Sequence, residues 1–187
     1  MERLTIKDFS WGIDRKSGER KENIVEEIAF QGPFKAGDVL ALEQTNKKFE
    51  VVELKAEGLE IVYSTNRNVI IPPNKMLSPL PKLLPNDGGH YYQFLLEVDS
   101  LEVLDKDHNL VGKYVYKEGL EIKLPKEYQR NIYLGPDAGF TLGYIRVLKD
   151  NKVEYGETMY QLEDDKEIEV CPTRVEPPLY FVLHKVR

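Results

Sequence analysis

Glu57-Gly58-Leu59-Glu60-Ile61 recurs as Glu118-Gly119-Leu120-Glu121-Ile122, and this echo governs how the rest of the chain reads. A second match follows each block: Arg67-Asn68-Val69-Ile70-Ile71-Pro72-Pro73-Asn74 parallels Arg130-Asn131-Ile132-Tyr133-Leu134-Gly135-Pro136-Asp137. Upstream, Leu40–Leu42 and Phe49–Leu54 line up with Leu101–Val103 and Leu110–Val115. Within the blocks, Leu and Ile alternate with Glu, which is the period of a strand that buries one face. Glycine at 58 and 119 suits the positive φ of a tight turn. The order strand, polar turn, strand, Glu-Gly break, strand therefore predicts a β unit that occurs twice. Its length is short for a complete sandwich and suits a small barrel or one half of a larger pseudo-symmetric barrel.

Outside the echo the same alternation continues in short runs rich in Val, Ile, Leu, Tyr and Phe, broken by turn residues. Strands are predicted near Leu4–Trp11, Asn23–Gln31, Asp38–Glu43, Tyr91–Val98, Gly139–Leu148, Lys152–Gln161, Glu167–Cys171 and Leu179–Lys185, among others. Asn23–Phe30 also fits a short helix, and Pro125–Arg130 fits one helical turn that starts at a proline. Neither alters the class. The expected fold is all-β: two related small β units, barrel or sandwich halves, packed into one body with little or no helix. Pro72, Pro73, Pro79, Pro81 and Pro85 interrupt the middle of the chain, because proline lacks the donor an inner strand needs. The expected division is a β-hairpin over 1–35, a first unit over 36–85 ending in this proline-rich join, and a second unit over 86–187.

Composition narrows function mainly by exclusion. The 187 residues carry a formal net charge of −6, which disfavours a general polyanion binder. Nucleic acid is thus disfavoured as a partner, and Arg15, Lys16, Arg20 and Lys21 form a basic cluster that Asp14, Glu19 and Glu22 dilute. One cysteine, Cys171, leaves no intrachain disulfide and no CxxC metal site, and it reads as a small buried residue. No run approaches the roughly 20 apolar residues of a membrane helix, and the first residues lack a secretory apolar stretch. The expected location is cytoplasmic.

The candidate site residues are few. Asp87-Gly88-Gly89-His90-Tyr91-Tyr92 places a histidine beside an acid and two glycines, the materials of a general base or a binding turn. His108 and His184 stand in unrelated turn and strand contexts, so no metal-ligand spacing emerges and no metal or cofactor is expected. Asp105–Asn109 lacks the glycine and bidentate glutamate of a calcium loop. Gly37–Lys47 resembles the hairpin of lipoyl or biotinyl carrier domains, which would make Lys47 the modified residue. The family's flanking residues are missing, however, and the echo carries His108 at the same turn. The abundant tyrosines serve either a core or an exposed stacking face.

No nucleophile elbow or phosphate loop is present. The leading expectation is a non-enzymatic interaction or assembly module, pairing with a protein partner or with itself. The first alternative is a carboxylate-based hydrolase with its site at the seam of the two units. The second is a nucleic-acid-associated protein that uses the basic loop and an aromatic sheet. Asp87, His90, Tyr91, Tyr92, Arg15, Lys16 and Arg20 are the candidate binding residues, and no catalytic residue can be named.

Overall fold

The computed structural model describes residues 2–63, 67–78, 88–133, 139–156, 158–170 and 180–186. Two compact units make up the chain, Met1–Val98 and Asp99–Arg187. The first contains β1 (Arg3–Ile13), β2 (Arg20–Gln31), β3 (Val39–Ala41), β4 (Lys48–Lys55), β5 (Gly58–Tyr63), β6 (Arg67–Ile71), β7 (Met76–Leu77) and β8 (Gly89–Glu97). The second contains β9 (Ser100–Asp105), β10 (Leu110–Val115), β11 (Glu121–Lys123), β12 (Arg130–Tyr133), β13 (Gly139–Leu142), β14 (Tyr144–Val147), β15 (Lys152–Tyr155), β16 (Thr158–Gln161), β17 (Glu167–Val170) and β18 (Phe181–Val186). Among the described residues, helix is confined to single 3-10 turns at Lys126–Tyr128 and Lys149–Asn151. The protein is all-β, built of small antiparallel sheets. Among the described residues no helix is long and apolar enough to cross a membrane.

In the first unit the strands order as β2-β1-β8-β7 in one sheet and β3-β4-β5-β6 in a second, a simple meander. Alternation explains their packing. Leu4 and Ile6 of β1, Phe94 and Leu96 of β8, and Phe49, Leu59 and Ile61 of the meander are fully buried. Edge-to-face contacts of Phe49 with Tyr92 at 5.2 Å and Phe94 at 5.5 Å join the two sheets. Tyr63 adds two more of the same kind. Such pairs contribute about 0.5–1.5 kcal/mol each beyond their buried area. Glu26 adds a polar tie, since its carboxylate accepts the backbone N–H groups of Glu43 at 2.9 Å and Gln44 at 3.1 Å.

The second unit has sheets β10-β9-β18-β17 and β11-β14-β15-β16, with β12 and β13 forming a separate ribbon. Leu101, Phe181 and Leu183 of one sheet and Ile122, Ile145 and Val153 of another are buried. Tyr155 meets Phe181 edge-on at 4.9 Å. Lys185 is also buried; its ammonium lies 2.9 Å from the Asp164 carboxylate, 3.2 Å from Asn151 Oδ1 and 4.3 Å from the Tyr116 ring centre. An ammonium held inside by a carboxylate, an amide and a ring face keeps its charge compensated.

Several expectations change. The division between units falls after Val98, not after Pro85, because β8 pairs with β1 along Arg3↔Glu97 to Trp11↔Gly89 and so completes the N-terminal sheet. No sheet closes into a barrel among the described residues; facing sheets enclose the core instead. Asn23–Phe30 is strand, since it pairs with β1 over most of its length. Gly139–Leu148 is two strands, parted at Gly143, and Lys152–Gln161 is a hairpin around Gly156. The helical turn after Pro125 is present.

The sequence echo does not extend to strand pairing. Leu59 and Ile61 point inward, as do Leu120 and Ile122, with Glu60 and Glu121 more exposed. Yet β4, β5 and β6 pair in succession, whereas β10, β11 and β12 belong to three different sheets. Gly58 and Gly119 differ accordingly. A Cβ on Gly58 would lie 2.0 Å from the Ile71 carbonyl oxygen of β6, whereas one on Gly119 would meet nothing within 4 Å. Close strand approach requires the first glycine; only a positive φ of 83° favours the second.

Candidate functional site

The register of the first sheet joins two segments that look unrelated in sequence. Ser10 stands opposite His90, Phe9 opposite Tyr91, and Asp8 opposite Tyr92. On the other side of β1, Trp11 faces Glu22 and Ile13 faces Arg20. The N-terminal hairpin and the start of β8 therefore form one locus. Its two faces carry different chemistry.

One face is aromatic and cationic. Phe9 stacks on Tyr91 with ring centres 4.9 Å apart. The Arg20 guanidinium lies 5.1 Å from the Trp11 ring centre and 5.5 Å from that of Tyr91. Glu22 fixes this arrangement, accepting from Arg20 Nε at 2.8 Å and from the Tyr91 hydroxyl at 2.8 Å. Burial, and then the hydrogen bond to Glu22, push the Tyr91 phenol above its ordinary pKa. Gly88 is required here, because a Cβ on it would come within 2.4 Å of the Trp11 carbonyl oxygen. Trp11 Nε1 is buried and has no hydrogen-bond acceptor among the described residues.

The opposite face is polar. Asp8 occupies the inward slot after Leu4 and Ile6 and is fully buried. Its Oδ1 lies 3.0 Å from His90 Nδ1, while Oδ2 has no partner among the described residues. An ionised carboxylate only accepts, so a neutral His90 ring that donates to it from Nδ1 keeps its lone pair on Nε2. The His90 side chain is 46% exposed, which leaves the far edge of the ring open to solvent. Beside it Tyr92 is pushed up to about 12, by burial first and the Asp8 charge second. Ser10 is flanked by His90 on β8 and by Asn23 on β2. A cleft of about 390 Å³ opens at this end, lined by Ser10, Trp11, Gly12, Ile13, Asp14, Lys21 and Asn23, residues from both faces of the hairpin. Lys21 pairs with Asp14 at 3.1 Å. The Lys16 backbone N–H, and then Lys21, hold the Asp14 carboxyl below its ordinary pKa.

Of the residues singled out from sequence, His90, Tyr91 and Arg20 come together here. Tyr92 points into the core between the sheets, and Arg15 and Lys16 sit exposed at the hairpin tip. Asp87 and Cys171 lie outside the described residues. Asp8, Trp11 and Asn23 escaped the sequence reading as site residues, and Glu22 entered it only as a charge that dilutes the basic loop. His108 and His184 make only peripheral contacts, with Glu167 at 3.4 Å and Glu102 at 3.9 Å. Among the described residues, no three His, Cys, Asp or Glu side chains are grouped to hold a metal ion. Tyr91, Tyr92 and Tyr155 are buried, so these tyrosines serve the core and present no stacking face.

Asp8 and Glu26 are cross-strand neighbours, a pairing that invites comparison with a catalytic carboxylate pair. Glu26 is already occupied by two backbone amides, and that leaves it no free role in acid–base chemistry. Fold and site together define an all-β protein with a two-faced polar and aromatic end on its first sheet. No family model, curated protein or solved structure matches the chain.

Proposed function

We propose that the chain is a protein-interaction module that docks through Arg20, whose guanidinium lies over the buried Trp11 and Tyr91 rings. One observation carries this reading: the Arg20 guanidinium is held over two aromatic rings and tied to Glu22 before any partner arrives. Trp, Tyr and Arg dominate the energetic centres of protein interfaces. A guanidinium already held in place loses little rotamer freedom on binding. The partner side this favours is a carboxylate-bearing segment, which an Arg engages in fork geometry.

Docking by side chains fits better than strand addition. β2 is the outer strand of its sheet, but its pairing with β1 shifts register between Asp8 and Phe9, and it carries Arg20, Lys21, Glu22, Glu26 and Glu27. Charges and bulges of this kind keep edges from pairing with other chains.

The test compares partner capture by the wild-type chain with capture by Arg20→Ala and by Arg146→Ala, a surface substitution in the second unit. Captured proteins are identified, and binding is then measured with the purified partner. Arg20→Ala should weaken that binding about 30-fold, as expected for a centre contributing about 2 kcal/mol. Arg146→Ala should leave it intact. Sedimentation of the chain alone applies the same comparison to self-association. Equal binding by all three proteins, or no partner and no self-association, would remove the reading.

A further inference from the structure

On the face away from Arg20, the geometry points to a serine-dependent acyl-transfer site in which Ser10 is the nucleophile, His90 its base, Asp8 the residue that positions His90, and Asn23 the donor to the oxyanion. The inference does not rest on docking, because Ser10, His90, Asp8 and Asn23 lie on the other side of the same strands, although Trp11 and Ile13 of the docking side also line the cleft.

Three strands set the constellation. His90, Ser10 and Asn23 form one row across β8, β1 and β2, and Asp8 stands in the next row of the same face. Directly opposed residues in antiparallel strands have Cβ atoms about 4.5–5.5 Å apart, within reach of a hydroxyl–imidazole hydrogen bond after a rotamer adjustment. The Asp8–His90 contact at 3.0 Å is already made, and in the neutral ring that donates through it Nε2 is the nitrogen free to accept a proton. Ser10 also lines the 390 Å³ cleft, whose nearby charges, Lys21 and Asp14, neutralise each other. A cleft of this size and balance suits a small uncharged carboxylic ester.

The step balances with water as the only co-reactant. Ser10 Oγ attacks the ester carbonyl carbon while His90 Nε2 takes the hydroxyl proton. The Asn23 amide donates to the oxyanion that forms. Collapse breaks the bond to the alcohol oxygen, which leaves with the proton from His90. Water, deprotonated by His90, then cleaves the acyl-Ser10 ester, releasing the carboxylic acid and restoring the hydroxyl.

The experiment mixes the full chain with p-nitrophenyl acetate near neutral pH. We expect a burst of p-nitrophenolate and an acetyl group on the peptide that contains Ser10. Ser10→Ala should lose the burst and at least about 100-fold of the turnover, and Asp8→Asn should lower turnover comparably. Asn23→Ala should lower kcat about 10- to 100-fold with KM little changed. Trp11 fluorescence confirms that each variant is folded, and Ser10→Cys, nearly the same size, should still give a burst through a thioester. Wild-type turnover in Ser10→Ala, acetylation confined to lysines, or no burst from the wild-type chain would overturn the assignment.

Discussion

Replacing Gly58 by alanine adds one methyl group at a point where β5 meets the end of β6. That methyl would sit 2.0 Å from the Ile71 carbonyl oxygen, 2.8 Å from its carbon and 3.0 Å from Pro72 Cα. All three neighbours are backbone, so no side-chain rotation relieves the overlap. The φ of 143° adds a second penalty, since a non-glycine residue in such sparsely populated backbone costs on the order of 1–3 kcal/mol. Moving β6 aside disturbs the Leu59↔Ile71 pair and the fully buried Ile71, with a further cost of roughly 1–3 kcal/mol, typical of overpacking. Together these predict a loss of about 2–6 kcal/mol. Gly119→Ala meets no atom within 4 Å and pays only for its φ of 83°, about 1–2 kcal/mol. Urea unfolding reads the difference. Trp11, the single tryptophan, lies in the first unit and reports Gly58→Ala, while far-UV circular dichroism follows Gly119→Ala. With a urea slope of about 1–3 kcal/mol per molar, the Gly58→Ala midpoint should fall by at least about 0.7 M. If Gly58→Ala unfolds at no lower urea than Gly119→Ala, the close-approach argument is wrong.

Glu26→Ala removes the acceptor for the Glu43 and Gln44 N–H groups and should cost about 2 kcal/mol by the same Trp11 assay. Glu26→Gln, which keeps one carbonyl oxygen, should recover roughly half of that loss; equal destabilisation by both variants would argue against the staple. Tyr92, pushed up to about 12, keeps its proton in the folded chain over a range where the unfolded chain, with a phenol near 10, has lost it. Its contribution to stability is complete below pH 10 and is lost as the pH rises toward 12, by up to about 3 kcal/mol. Tyr92→Phe should therefore flatten the alkaline limb of a plot of urea midpoint against pH, and an unchanged limb would count against the burial of that hydroxyl beside Asp8.

The elements were legible because burial on one face leaves a local, period-two mark. Leu4 and Ile6, Leu59 and Ile61, and Leu120 and Ile122 all point inward as their alternation implies. Pairing leaves no such mark. Nothing in Tyr91–Val98 says that its neighbour is β1, and that single pairing moves the boundary between units and assembles the site. The residues around Gly58 and Gly119 share letters but not neighbours, because β5 returns to the next strand while β11 pairs with β14. At the site, His90, Tyr91 and Arg20 stood out by residue type. Asp8 did not, since a lone acid in a strand resembles any solvated charge until the register places it under His90.

The place of β18 has a consequence for the order of events during synthesis. It lies between β9 and β17, paired to β9 from Ser100↔Val186 to Phe181↔Asp105, although the strands of another sheet separate the two in the chain. The meander of the first unit, by contrast, needs only neighbours that emerge one after another. As the ribosome extends the chain, β9 therefore waits with one edge bare and Leu101 and Val103 uncovered until β18 arrives. Bare edges with apolar side chains are where nascent chains misassociate. The interval between β9 and β18, like that between β1 and β8, is thus a stretch of translation in which this protein is open to capture by a chaperone or by another nascent copy.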